Sequence, residues 1–105
     1  RSSPTDMAVF FPDGTMIAEE HAKDTLEKVV RKIGVARVRQ VVEVQGLVMC
    51  KVPVISNRRD TKYGRAQRDL GNGWLLMTHC NNNMKKAFLE KVSEALGLGL
   101  KIVLN

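Results

Sequence analysis

The sequence predicts an α+β fold: a mostly antiparallel sheet of 4–6 strands with two helices packed on one face. Three observations support this class, namely two helical segments with an apolar face, several short apolar runs rich in β-branched residues, and turn residues between those runs. The predicted order of elements is ββαβ(β)βαβ. A chain of 105 residues is long enough for one hydrophobic core. We expect residues 1–6 to be a linker or a cloning remnant and residues 7–105 to form a single domain.

The first predicted element is a β-hairpin over residues 7–17. Its first strand is short and apolar, and Pro12, Asp13 and Gly14 follow it as a turn. Proline fixes φ, aspartate caps the turn with its side chain, and glycine accepts a positive φ. The residues after Gly14 can therefore return antiparallel to the first strand.

A helix is predicted over residues 19–33. Acidic residues gather in its first turn and basic residues in its last turn, which suits the helix dipole. We expect Gly34 to end this helix as its C-cap. A short helical turn is expected over residues 35–40, and residues 41–44 are interpreted as a strand or a connection. The apolar face of the helix contains Ala22, Leu26, Val29, Val30 and Ile33.

Two further strands are predicted in the middle of the chain. Residues 47–55 favour β-structure, but Pro53 cannot donate to a ladder and indicates an edge, a bulge or a break. Residues 74–78 (WLLMT) are nearly all apolar, which is typical of a central strand. A turn at residues 71–73 (GNG) precedes this strand.

The second predicted helix follows a run of three asparagines. One of Asn81, Asn82 and Asn83 is expected to be its N-cap, and Gly97 is expected to end it. Residues 98–104 then form the last predicted strand.

Positive charge is concentrated in the middle of the chain. Seventeen Lys and Arg against eleven Asp and Glu give a net charge of +6, which favours nucleic acid, an anionic membrane or an acidic protein as partner. Residues 31–68 hold ten of the basic residues against only Glu43 and Asp60, a local charge of +8. The rest of the chain therefore sums to −2.

The densest part of this span is residues 57–70 (NRRDTKYGRAQRDL), which we name the basic loop. A long connection inside a small domain is more often functional than idle. Its lysines and arginines can bind phosphates, and Tyr63 can stack on a base. The other interpretation is a solvated loop whose charges only keep the protein soluble. The predicted nucleic-acid contacts are Arg58, Arg59, Lys62, Tyr63, Arg65 and Arg68.

A second candidate site lies at the start of the second helix. Exposed N–H groups and the positive end of the helix dipole favour an anion there. Lysines in a first helical turn are unfavourable, and a bound phosphate would offset them. The predicted anion-binding residues are Thr78, Asn81, Asn82 and Asn83, and Lys85 and Lys86 are predicted as auxiliary nucleic-acid contacts.

No catalytic residue, metal site or cofactor is predicted. Cys50 and Cys80 lack the close spacing of metal ligands, and we expect them to be buried, reduced thiols in a reducing compartment. No apolar run reaches the roughly 18 residues of a membrane span, and no signal-peptide h-region is present at the amino terminus. We therefore expect a cytoplasmic protein without a membrane partner, and the polar residues before Met7 fit a module of a larger protein.

The function that these patterns favour is a small, non-catalytic module that binds DNA or RNA through its phosphates. No helix is of the kind that enters a groove, so no sequence specificity is expected. One alternative is a protein-interaction or homodimerisation domain in which an edge strand at residues 52–55 pairs with a partner. The other is a metal-dependent nuclease with Asp13, Glu43 and Lys51 at its site.

Overall fold

The computed structural model describes residues 5–105, which form three α-helices and eight short strands. All strand pairs are antiparallel, so the predicted α+β class is confirmed. Within these residues the strands form three sheets, β2-β1-β8, β3-β4 and β5-β7-β6, and not the one predicted sheet. The elements are β1 (Met7–Phe10), β2 (Met16–Ile17), α1 (Ala22–Ile33), α2 (Val35–Gln45), β3 (Val48–Met49), β4 (Val52–Pro53), β5 (Ile55–Ser56), a 3₁₀ turn (Gly64–Ala66), β6 (Gln67–Gly71), β7 (Trp74–Met77), α3 (Asn82–Leu96) and β8 (Lys101–Leu104).

The chain divides into two compact units. The flanking unit combines residues 5–29 with residues 81–105, and the central unit is Val30–Cys80. The charge follows this division: the central unit holds ten Lys and Arg against three Asp and Glu, a net charge of +7, and the rest of the chain has −1. The predicted linker at residues 1–6 lies largely outside the described residues.

The flanking unit is built on the sheet β2-β1-β8. The predicted opening hairpin is present, with Val9 opposite Ile17, and the other side of β1 pairs with β8, where Val9 lies opposite Ile102. Asp13 stabilises the hairpin turn because its carboxylate accepts hydrogen bonds from the backbone N–H and the hydroxyl of Thr15. The side chains at the centre of this unit are Met7, Val9, Leu26, Phe88, Leu89, Val92 and Ile102, all of them buried.

Helix α3 begins and ends where the sequence predicts. The side chain of Asn81 accepts a hydrogen bond from the backbone N–H of Met84 at 2.8 Å, so Asn81 is the N-cap. Gly97 follows the helix with φ 64°, the left-handed conformation that glycine adopts without strain. The N–H of Leu98 then donates to the carbonyl of Ser93 at 2.9 Å and satisfies one of the free carbonyls of the last turn.

Helix α2 confirms the helical turn expected at residues 35–40 and extends through residues 41–44, where a strand or a connection was expected. Gly34 has φ 117°, but its N–H donates to Val30 at 2.9 Å and its carbonyl accepts from Val38 at 3.0 Å. Helical hydrogen bonding therefore continues on both sides of Gly34, and the predicted C-cap becomes the N-cap of a new helix. Burial of Val38, Val41 and Val42 on one face of α2 accounts for the helix, because packing outweighs the β-preference of valine.

The sheets of the central unit lie on both sides of the basic loop in sequence. β3 and β4 form a hairpin whose turn residues, Cys50 and Lys51, have φ values of 53° and 66°. β7 is the middle strand of β5-β7-β6, as expected for the apolar run at residues 74–78. β6 begins at Gln67, so the basic loop ends as a strand that pairs with β7.

Candidate nucleic-acid interface

The basic loop has a defined conformation that depends on Arg59. One terminal nitrogen of the Arg59 guanidinium donates to the carbonyls of Gly64 and Gln67, each at 2.7 Å. These two bonds fold the loop back on the segment that leads into β6. Arg59 was predicted as a phosphate contact, but part of its donor capacity is used inside the protein.

Asp60 and Gln67 hold the middle of the basic loop. The carboxylate of Asp60 accepts the backbone N–H groups of Lys62 at 2.8 Å and Tyr63 at 2.7 Å. Gln67 is only 4% exposed; its side chain accepts from the N–H of Asp60 at 2.7 Å and donates to the carbonyl of Arg58 at 3.2 Å. A charge-rich segment thus acquires its shape from two polar side chains that bond its backbone.

The end of β7 anchors the loop from the other side. The backbone N–H of Thr78 donates to the carbonyl of Ala66 at 3.0 Å, and the hydroxyl of Thr78 donates to the same carbonyl at 2.6 Å. Thr78 was predicted to bind an anion, but its hydroxyl proton is already used in the basic loop. Its role in the structure is to fix the 3₁₀ turn.

Four cationic residues of the basic loop are exposed to solvent: Arg58, Arg59, Lys62 and Arg65. Neither Arg58 nor Arg65 forms an ion pair with any residue of the described part of the chain. Arg68 differs, because it lies on β6 opposite Leu76 and is only partly exposed. A depression of about 450 Å³ is lined by Arg59, Asp60, Thr61, Lys62, Gly64 and Arg65.

Lys51 adds a cation that the sequence did not assign to this site. It is exposed on the β3–β4 turn, and it lines a depression of about 420 Å³ together with Lys62 and Tyr63. It also lines a depression of about 350 Å³ with Arg58. The sequence gives no signal for this placement, because Cys-Lys is not a turn dipeptide that favours positive φ.

Tyr63 stacks on a second aromatic side chain. Its ring lies 4.7 Å from the imidazole of His79, with 25° between the two planes. The ammonium group of Lys62 lies 5.2 Å from the centre of the Tyr63 ring, within the range of a cation–π interaction. The site therefore combines cations with a stacked aromatic pair.

A second group of cations in the central unit is engaged in internal contacts. The Arg39 guanidinium lies over the Trp74 ring at 4.1 Å and its Nε lies 3.8 Å from Glu43. Arg31 donates to the backbone carbonyl of Asp69 at 3.1 Å. These arginines contribute to the positive potential of the unit, but they are less available for a ligand than Arg58 or Arg65.

The candidate anion site at the start of α3 belongs to the flanking unit. Asn81 is the N-cap, Asn82 is partly exposed and Asn83 is exposed. Lys85 is only 4% exposed, which removes it from the accessible contacts, whereas Lys86 is partly exposed. Because Thr78 lies in the central unit, the four predicted anion-binding residues do not belong to one compact unit.

The residues of the nuclease alternative have other partners. Asp13 stabilises the opening hairpin turn in the flanking unit, and Glu43 lies 3.8 Å from Arg39 in the central unit. Within residues 5–105, no group of three or more His, Cys, Asp and Glu could hold a metal ion. Cys50 and Cys80 are free thiols, both partly exposed and not buried as predicted.

Comparisons with known proteins give no match, whether to family models, curated proteins or solved structures. None of the helices within the described residues is long and apolar enough to cross a membrane.

Proposed function

We propose that the central unit is a non-catalytic nucleic-acid-binding module that contacts phosphates through its basic loop. The observation that carries the proposal is the exposure of Arg58, Lys62 and Arg65 on a loop of fixed conformation, in a unit with a net charge of +7. Cations on a backbone of fixed conformation lose less conformational entropy on binding than cations on a flexible segment. A cytoplasmic location is part of this proposal.

In this proposal, one set of loop residues binds phosphates and another set maintains the conformation of the loop. Arg59, Asp60 and Gln67 form the internal hydrogen bonds, whereas Arg58 and Arg65 have no internal ion pair among the described residues. Lys51 is a further proposed phosphate contact, because it lines one depression with Lys62 and another with Arg58. We call Lys51, Arg58, Lys62 and Arg65 the phosphate-binding group. Contacts from these side chains go to phosphates and carry no base information, so no sequence specificity is expected.

A salt titration of binding tests the proposal. The measurement is fluorescence anisotropy with labelled single-stranded and duplex oligonucleotides at increasing salt. Four phosphate contacts, from Lys51, Arg58, Lys62 and Arg65, predict that log Kd rises with log salt with a slope of about 3 to 3.5. Replacement of Arg58 and Arg65 by Ala together should weaken binding about tenfold and lower this slope by about 1.5 to 2.

The matched control removes the same charge from the flanking unit. Lys23 and Lys91 are both exposed there, so the double variant Lys23→Ala, Lys91→Ala has the same net charge as the loop variant. Its affinity should stay within about twofold of the parent protein. Absence of binding at low salt, or equal loss in the two double variants, rules out the proposed role of the loop.

A protein-interaction role is the second candidate, and the free edge of β5 favours it. No strand of residues 5–105 pairs with the outer side of β5. Nearby, a largely apolar depression of about 440 Å³ includes Val48, Pro53, Ile55 and Trp74, and Val48 is 52% exposed. Light scattering after size exclusion at several concentrations checks this candidate. A dimer that dissociates in Val48→Lys supports it, and a monomer at every concentration excludes homodimerisation.

A further inference from the structure

We infer that the basic loop selects single-stranded over duplex nucleic acid, with one unpaired base stacked on the free face of His79. This inference rests on the proposed function and names the substrate class of the same site. It depends on the stacked pair of Tyr63 and His79, which the phosphate contacts do not require.

The stacked pair does not bury His79. Tyr63 is partly exposed and covers one face of His79 at a ring separation of 4.7 Å. His79 remains exposed even though Tyr63 stacks on one face of its ring. A flat, nearly parallel pair of rings is the arrangement to which a third ring can be added, because bases stack face to face on aromatic side chains.

Two lysines, Lys62 and Lys51, lie near this aromatic pair. The ammonium of Lys62 lies 5.2 Å from the centre of the Tyr63 ring, and Lys51 lines the same depression as Lys62 and Tyr63. A phosphate bound by Lys62 is therefore within one nucleotide of a base placed on the stack. The site can bind the backbone and the base of the same short segment.

A duplex cannot use the aromatic face. In a double helix each base lies between its neighbours, so only the base edges in the grooves and the phosphates are accessible. A single strand offers unstacked bases, and one base on an aromatic platform strengthens binding roughly tenfold. The phosphate contacts alone do not provide such a preference. We therefore assign the choice of substrate to His79 and Tyr63.

The test compares one labelled oligodeoxynucleotide alone and annealed to its complement, with the RNA of the same sequence as a third arm. The parent protein should bind the single strands about tenfold more tightly than the duplex. His79→Leu should remove this preference without a change in the salt dependence, because no phosphate contact is lost. His79→Phe keeps a stacking ring and should retain the preference.

Phe10→Leu is the matched control, because Phe10 is an exposed aromatic residue of the flanking unit. Its preference for the single strand should equal that of the parent protein. Equal affinity of the parent for both forms, equal weakening of both forms by His79→Leu, or loss of the preference in His79→Phe would each overturn the inference. If Arg58→Ala, Arg65→Ala still weakens binding in any of these cases, the phosphate-binding role stands and only the stacking role is lost.

Discussion

Gly64 and Arg59 are in direct contact, and the side chain of Arg59 occupies the space that a Cβ at position 64 would need. Arg59 donates to the carbonyl of Gly64 at 2.7 Å, and a Cβ on Gly64 would lie 2.9 Å from Cδ of Arg59. Any side chain at position 64 would therefore displace the arginine that closes the basic loop. Glycine at position 64 therefore leaves space for the long side chain of Arg59 to reach its two carbonyl acceptors.

Gly64→Ala should destabilise the protein by about 1 to 3 kcal/mol, because a displaced Arg59 loses two hydrogen bonds of about 0.5 to 1.5 kcal/mol each. Urea unfolding followed by circular dichroism measures this change. In an Arg59→Ala background the same substitution should cost much less, since the clash is absent. Equal costs in the two backgrounds would show that the contact has no energetic role.

Gln67→Met should cost about 2 kcal/mol, because the N–H of Asp60 and the carbonyl of Arg58 lose their partner while methionine fills a similar volume. The same urea experiment measures it. Gln45→Met is the matched control on an exposed position of α2, and its free energy of unfolding should stay within about 0.5 kcal/mol of the parent value. A similar small effect at Gln67 would contradict its role in holding the loop.

Lys51→Gly should raise stability and weaken binding at the same time. Lys51 has φ 66°, a conformation that costs a non-glycine residue about 1 kcal/mol more than glycine, so glycine should add about 0.5 kcal/mol. The loss of one cation should weaken nucleic-acid binding about threefold and lower the salt slope by about 0.7 to 0.9.

Lys51→Ala separates the two effects of that substitution. Alanine removes the charge but keeps the backbone strain, so it should weaken binding as much as glycine without the gain in stability. Thermal unfolding and anisotropy on both variants give the answer. If binding is unchanged in either variant, Lys51 does not belong to the phosphate-binding group.

Asn81→Ala should destabilise α3 by about 1 kcal/mol through loss of the N-cap bond to Met84. Asn81→Asp keeps the acceptor and should restore most of that stability. Asn83→Ala is the control, because Asn83 is the second residue of the helix and is exposed. If Asn81→Asp, which keeps the cap but adds a negative charge, weakens oligonucleotide binding at unchanged stability, the start of α3 contributes to anion binding as well as to folding.

Local turn and cap chemistry made much of the fold predictable. Gly14, the GNG turn at residues 71–73 and Gly97 adopt positive φ, which few other residues favour, and Asp13 and Asn81 accept backbone hydrogen bonds. Helix α2 was predicted only over residues 35–40, as a short helical turn, because Gly34 is a usual helix terminator and the valines of residues 41–44 prefer strands. Its helical state depends on burial of Val38, Val41 and Val42, which a local pattern does not report.

The sequence predicted the charges of the candidate site and Tyr63, but not the contacts that give the site its shape. Arg58, Lys62 and Arg65 could be named because lysine and arginine are recognisable in any context. The sequence does not distinguish the residues that shape the loop from those that are free to bind phosphates. Arg59 resembles the neighbouring arginines, and nothing in the sequence marks Gln67 as the residue that bonds the loop backbone. The Tyr63 and His79 stack joins residues sixteen positions apart across a strand pair, and Lys51 enters through an unusual turn.

The division of the chain also has a consequence for synthesis on the ribosome. All residues of the central unit have been synthesised once Cys80 is added. Strand β1 cannot pair with β8 until the end of the chain is synthesised, since Val9 lies opposite Ile102. One edge of β1 therefore stays without its neighbour while about ninety residues are added to the nascent chain. Translation produces the cationic half in one continuous stretch, and the flanking half closes last.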